Sequence, residues 1–263
     1  MNLSLDTVAL AAPDVHRARA FYTAALSLDV ADQEDPAGSE TRETAPFALS
    51  ANDALAAEAG VGSTTSGFRG YVLTCGVDQP TEVRTLMDAA ARSGAETLKP
   101  AKRALFGSFS GSFRAPDGAV WKLAAGTNKD TGPPAAAPRP VETTAILGVA
   151  APKKSKVFYE ALGMTVDRDY GNKYIDFRPT ADAARLCLMG RAVLAKDAGT
   201  SHDGSGFPGL VLTHRAASRG DVETLLEAAA TAGGRITAAA GETGHGYSGC
   251  FADPDGFLWR VAH

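Results

Sequence analysis

The chain has 263 residues, 44% of them hydrophobic and 21% charged, with a formal net charge of −4 and a pI near 5.7. That balance is ordinary for a globular protein, allows two domains, and offers no basic field for nucleic acid or an anionic membrane surface. No apolar run approaches the roughly 20 residues of a membrane span, and "MNLSLDTVAL" at the start lacks the charged region and longer apolar core of a secretion signal. Cys75, Cys187 and Cys250 stand far apart with no CxxC pair, so buried reduced thiols in a cytoplasmic protein are expected rather than a zinc site or a disulfide.

In chain order, a short apolar strand at Leu3–Ala12 leads into a helix at Asp14–Leu26 that contains the pair Phe21-Tyr22. Strand-like runs follow, among them "PFALS" (Pro46–Ser50), and then a Gly/Ser/Thr-rich loop at Gly60–Gly67. A β-rich run from Arg69 precedes an amphipathic helix in which Val83, Leu86, Met87 and Ala90 recur at helical spacing. Gly94 falls where that helix should stop. Three more strands close the unit. The last two are joined by "PDG", whose Pro sets φ and whose Gly tolerates positive φ. The same order then begins again: strand Glu142–Ala151, helix Lys153–Leu162, strands "KYIDF" (Lys173–Phe177) and "RLCLM" (Arg185–Met189), loop Gly199–Gly206, and a helix stop at Gly233.

This second pass is a duplication. "SGSFRAPDGAVWKL" (Ser110–Leu123) returns without a gap as "SGCFADPDGFLWRV" (Ser248–Val261). "VRTLMDAAARSGA" (Val83–Ala95) returns as "VETLLEAAATAGG" (Val222–Gly234), and "RGYVLT" (Arg69–Thr74) as "PGLVLT" (Pro208–Thr213). "FYTAALSLDV" from Phe21 returns as "FYEALGMTV" from Phe158, one residue shorter. Four blocks in one order with nearly constant offsets mark two copies of one domain. The stretch "NKDTGPPAAAPRPVE" reads as a linker. The boundaries are placed at residues 1–130, linker 131–140, and 141–263.

Paired βαβββ modules, "FYEALGM" after the first helix and "FADPDGFLW" before the last strand together resemble the vicinal oxygen chelate superfamily, which includes glyoxalase I, bleomycin-resistance proteins and extradiol dioxygenases. The resemblance covers nearly the whole chain. It implies an α+β fold of two tandem glyoxalase-like domains, each of two βαβββ modules, with open cup-shaped sheets around a cavity for a small molecule. It also implies a divalent metal in many members, held by a His early in each module's first strand and a Glu or His late in its last.

Here those positions hold the wrong chemistry. Where the family's pattern has a His ahead of each FY pair stand Thr7 and Thr144. The strand that opens each second module begins with Gly70 or Gly209. The residue after each tryptophan, the family's Glu, is Lys122 or Arg260. A transition metal needs imidazole, thiolate or carboxylate donors, and a cation in the carboxylate position repels it. His245, Cys187 and Asp176 are the remaining source of ligands, with no recognisable spacing. No metal and no cofactor is therefore expected.

By strand alternation Thr7, Gly70, Val72, Thr144, Ile146, Gly209 and Val211 line the cups, with Lys122 and Arg260 on the floor and both tryptophans turned away into the core. Each floor cation either meets an anionic or carbonyl-bearing ligand or pairs with a protein carboxylate. His245 has the chemistry of an acid or base, and Phe109 and Tyr247 occupy equivalent places suited to stacking on a planar ligand. The leading reading is metal-independent binding of a small, largely apolar metabolite or drug, by a monomer or, alternatively, a homodimer. The alternative is a metal-independent tailoring enzyme (lyase, isomerase or cyclase) using His245, Tyr247, Arg260 and Lys122. A divalent-metal lyase ranks last.

Overall fold

The β-branched and aliphatic runs form strands and the 3.6-period stretches form helices, in the order β1 (Thr7–Ala12), α1 (Val15–Leu26), β2 (Ala31–Asp32), β3 (Phe47–Ala51), α2 (Asn52–Glu58), β4 (Thr65–Gly67), β5 (Tyr71–Val77), α3 (Pro80–Arg92), β6 (Glu96–Arg103), β7 (Phe109–Arg114) and β8 (Val120–Ala125) for the first copy. The second copy supplies β9 (Glu142–Val149), α4 (Pro152–Ala161), β10 (Val166–Asp169), β11 (Ile175–Phe177), β12 (Arg185–Gly190), α5 (Arg191–Ala198), β13 (Gly204–Gly206), β14 (Leu210–Arg215), α6 (Arg219–Thr231), β15 (Arg235–Thr243), β16 (Gly246–Ala252) and β17 (Leu258–Ala262). The computed structural model describes residues 2–28, 30–32, 47–103, 108–179, 184–244 and 246–263. Local signals set the helix ends. Asp14 accepts the Arg17 amide as the N-cap of α1, Pro80 and Pro152 stand in the first turns of α3 and α4, and Gly94 and Gly233 take positive φ just beyond α3 and α6.

The fold is α+β with two tandem copies and open sheets, as the sequence implies. The sheets, however, do not coincide with the copies. One has the order β15-β16-β17-β14-β1-β3-β2, and the other β10-β11-β12-β9-β5-β8-β7-β6. Each joins one module of the first copy to one of the second through an antiparallel seam. Across β1–β14, Thr7 faces Thr213 and Ala9 faces Val211. Across β5–β9, Thr74 faces Thr144 and Val72 faces Ile146. A short ribbon of β4 and β13 ties the two Gly/Ser/Thr-rich loops together. The linker is held down: Gln79 Oε1 accepts the amides of Thr131 and Gly132, and Glu82 Oε1 that of Ala135.

On one face of the sheets, a single core gathers Phe21 and Tyr22 of α1, Val83, Leu86, Met87 and Ala90 of α3, and the matching residues of α4 and α6. The two sequence signatures meet inside it. The Tyr22 hydroxyl donates to Asp117 Oδ2 at 2.5 Å and accepts the Trp121 indole N–H at 3.3 Å. Tyr159 donates to Asp253 Oδ2 at 2.6 Å and accepts from Trp259 at 3.3 Å. α1 follows a strand of the seven-stranded sheet while Trp121 lies on the eight-stranded one, so each triad bridges the sheets within one copy. The acceptors are not equivalent in the repeat. Asp117 belongs to "PDG", whereas Asp253 precedes it, and the true counterpart of Asp117, Asp255, instead accepts the Ala150 amide and the Ser155 hydroxyl at the start of α4.

Burial pushes the Asp253 carboxyl up to about 7, against the Tyr159 hydroxyl and backbone amides that favour its charged form. A raised folded-state pKa means the native protein holds a proton that the unfolded chain has already released. The stability this group contributes is complete below about pH 4 and lost as the pH rises through 7. Asp253→Asn should therefore gain stability relative to the wild type between about pH 4 and 7 and run parallel to it above, read by urea unfolding across pH. A constant difference would refute the assignment. Residues 1–130 alone lack both β14 and β9, so they should sediment as a dimer or remain unfolded; a folded monomer would overturn the seam as an essential element.

Candidate functional site

The sheet faces turned away from α1, α3, α4 and α6 form the two cups. In the seven-stranded sheet, Thr7 on β1, Thr213 on β14 and Arg260 on β17 stand side by side, since Thr213 is the register partner of both Thr7 and Arg260. In the eight-stranded sheet, Thr144, Thr74 and Lys122 repeat the arrangement. These floor residues thus come together, with each floor drawn from both copies. Arg260 Nη1 pairs with Glu58 Oε2 at 3.0 Å, and Lys122 Nζ with Asp197 Oδ2 at 2.6 Å. Both cations therefore meet a protein carboxylate.

Those carboxylates sit on two helices, α2 and α5, in stretches that the sequence patterning does not mark as helical. Each helix lies in a cup. Leu55, Ala56 and Ala59 pack with Ala9, Val211 and Leu258 in one. Leu194, Ala195 and Ala198 pack with Val72, Val120, Ile146 and Cys187 in the other. Val72, Ile146 and Val211 do line the cups, but the chain itself covers them. The carboxyl end of α5 is also satisfied from the sheet: Lys99 Nζ donates to the carbonyls of Lys196 and Asp197 at 2.6 and 2.7 Å, and Ser112 Oγ to that of Ala198 at 2.7 Å. A signal for the plugs exists in the repeat. "LAAEAG" (Leu55–Gly60) returns as "LAKDAG" (Leu194–Gly199), keeping the carboxylate.

Several expected site residues lie elsewhere. Gly70 and Gly209 are not beside the threonines: Thr144 faces Thr74, while Gly70 stands before the start of β5, next to Gly148. The space over these two glycines, both at positive φ, is filled by the guanidinium groups of Arg191 and Arg69. Phe109 and Tyr247 point away from the cups, because alternation puts them with Phe113 and Phe251 on the helix face. Arg84 covers the Phe109 ring, and Tyr247 donates to Glu223 of α6 at 2.8 Å under Arg219. Neither ring is placed to stack on a ligand in a cup. His245 lies outside the described residues.

Two of the three candidate ligands, Asp176 and Cys187, are occupied by other partners. Asp176 is fully buried but takes Arg168 Nε at 3.0 Å and Arg185 Nη1 at 3.8 Å, so its charge is already matched. Its strand partner Cys187 contacts the Tyr174 hydroxyl at 2.9 Å, and burial pushes its thiol up to about 12, far from the thiolate a metal requires. Among the described residues no trio of His, Cys, Asp or Glu is placed to hold an ion. No described helix is long and apolar enough to cross a membrane.

A family model described as the Glyoxalase/Bleomycin resistance protein/Dioxygenase superfamily matches residues 4–123 and again 142–261. Among solved structures, glyoxalase I from Zea mays is similar over 98% of this chain and 92% of its own, with a TM-score of 0.62 and 18% identity, a likeness of fold alone. A glyoxalase-related enzyme from Fulvimarina pelagi is 27% identical over 44% of this chain and 83% of its own, with a TM-score of 0.40. No curated protein matches. With the module matched in both halves and the FY helix, PDG turn and tryptophan built into one core, the chain belongs to the Glyoxalase/Bleomycin resistance protein/Dioxygenase superfamily as a tandem member.

Proposed function

We propose that this protein binds a small, largely apolar acid in a cup without the help of a metal. One observation carries the reading: each plug helix presents the cup with an apolar face and a single carboxylate on the floor cation. α5 offers Leu194, Ala195 and Ala198 beside Asp197 on Lys122, and α2 with its C-cap Ala59 offers Leu55 and Ala56 beside Glu58 on Arg260. A ligand that replaces a plug satisfies the same surface with the same chemistry, burying apolar area and matching the cation. The eight-stranded cup is the better candidate. A crevice of about 110 Å³ opens beside Lys122 and Asp197 between Lys99, Lys102, Ser110 and Ser112.

That crevice is well below the ~300 Å³ at which drug-sized ligand sites begin, so the body of the ligand takes the place of α5. The helix is suited to leave. Its 8 residues are too few for a stable helix on their own, and Gly190 and Gly199 flank it.

Octanoate should raise the thermal midpoint and speed hydrogen exchange at Leu194–Ala198, while octanamide should do neither. Lys122→Met should abolish the octanoate shift at a cost of about 1 kcal/mol or less in stability, since Asp197 is 41% exposed. An equal shift by octanamide, or a stoichiometric transition metal in the purified protein by elemental analysis, would sink the reading.

A further inference from the structure

At the start of α5, a cavity of about 230 Å³ lies between the entry to β5, strand β13 and the turn before β17, and its walls include Phe68, Arg69, Arg191, Pro208, Asp255 and Phe257. Two guanidinium groups share it, and their hydrogen bonds all go to neutral acceptors. Arg69 Nη2 donates to the Asp117 carbonyl at 2.7 Å. Arg191 donates to the carbonyls of Phe68 at 2.5 Å, His202 at 3.0 Å and Gly204 at 3.2 Å, and lies over the Phe68 ring. Neither forms an ion pair among the described residues, whereas Lys122, Arg260 and Arg185 each hold a carboxylate.

The carboxylates nearby are engaged elsewhere. Asp255 gives one oxygen to the Ala150 amide and the other to the Ser155 hydroxyl. Asp117 feels the Arg69 charge but bonds the Tyr22 hydroxyl and the Ala119 amide. Against the two arginines the lining sets one carboxylate, Asp255, whose oxygens are taken by neutral donors, so one positive charge is left in excess.

The duplication shows that this charge is not demanded by the fold. Arg191 opens α5, and the residue that opens the matching helix α2 is Asn52. Asn52 makes the equivalent bond, to the Ser63 carbonyl, as Arg191 does to His202. The counterpart of Arg69 is Pro208. Arg191 thus stands over Gly70 and Arg69 over its repeat counterpart Gly209, and the residues matching these two arginines, Asn52 and Pro208, are neutral.

We propose that this cavity binds a small oxyanion, a phosphate or carboxylate group, between Arg69 and Arg191. The fork of an arginine matches an oxyanion's spacing, and hydrogen bonds between charged partners are about twice as strong as neutral ones. The volume admits such a group with a few waters, each needing about 30 Å³.

Calorimetric titration at low ionic strength with inorganic phosphate and, separately, benzoate tests the proposal on the full chain. Saturable binding of either probe is expected, phosphate alone pointing to phosphoryl ligands and benzoate alone to carboxylates. Arg69→Met and Arg191→Met should each weaken it about tenfold or more, and Arg17→Met, which removes an exposed cation, should leave it unchanged. Should a Met variant misfold by circular dichroism, Arg69→Lys and Arg191→Lys keep the charge but lose the fork and should still weaken binding several-fold. No saturable binding of either probe overturns the proposal, as does unchanged affinity in the folded Arg69 and Arg191 variants. Phosphate lacks the apolar body that the cup reading requires, and benzoate counts for this cavity only where its binding survives Lys122→Met and is lost in Arg69→Met, so the two readings fail separately.

Discussion

The two antiparallel seams, β1 on β14 and β5 on β9, are the constraint on which the rest of the molecule depends. A sheet buries its polar backbone edge only by pairing, and neither copy completes a sheet from its own strands. Once the seams form, the inner strands of the two copies lie side by side, and every cup floor becomes a joint product: Thr7 with Thr213 and Arg260, Thr144 with Thr74 and Lys122. Within each copy the two modules are held instead through the helix-side core, where a tyrosine from the first module meets an aspartate and a tryptophan from the second. The copies are consequently interlocked: the core ties what the sheets separate.

The floor cations set the chemistry of the cups. A carboxylate after the tryptophan would attract a metal, and a lysine or arginine there attracts a carboxylate instead. The chain supplies that carboxylate from α2 and α5, short helices whose apolar faces also spare Val72, Ile146, Val211 and Leu258 from water. A half-buried ion pair of this kind contributes little to stability. Its value is positional, since it fixes where the end of each plug rests and leaves the cation matched while the cup is closed.

The duplication makes much of the fold legible. Matching blocks give the element order, the glycine stops beyond α3 and α6, and the inward or outward assignment of Val72, Ile146, Val211, Lys122 and Arg260, because strand alternation is a local property. The plugs are harder to see, since "NDALAAE" and "RAVLAKDA" are short, alanine-rich and next to glycine-rich loops, which masks a helix of two turns. Phe109 and Tyr247 look like stacking residues when judged by side-chain type, although their parity with Phe113 and Phe251 puts them on the helix face. The expectation for Gly70 and Gly209 comes from counting along the chain, which carries no information about how far two strands slide past each other.

By itself the sequence determined that two copies of paired βαβββ modules exist and which face Val72, Ile146, Val211, Lys122 and Arg260 take on their strands. These follow from periodicity, turn chemistry and side-chain type, all properties of neighbouring residues. Only the tertiary structure decided which modules share a sheet, that Glu58 and Asp197 close the cups onto Arg260 and Lys122, and that Arg69 and Arg191 meet in one cavity. Such pairings join residues far apart in the chain, and their geometry exists only after strands have chosen partners and register.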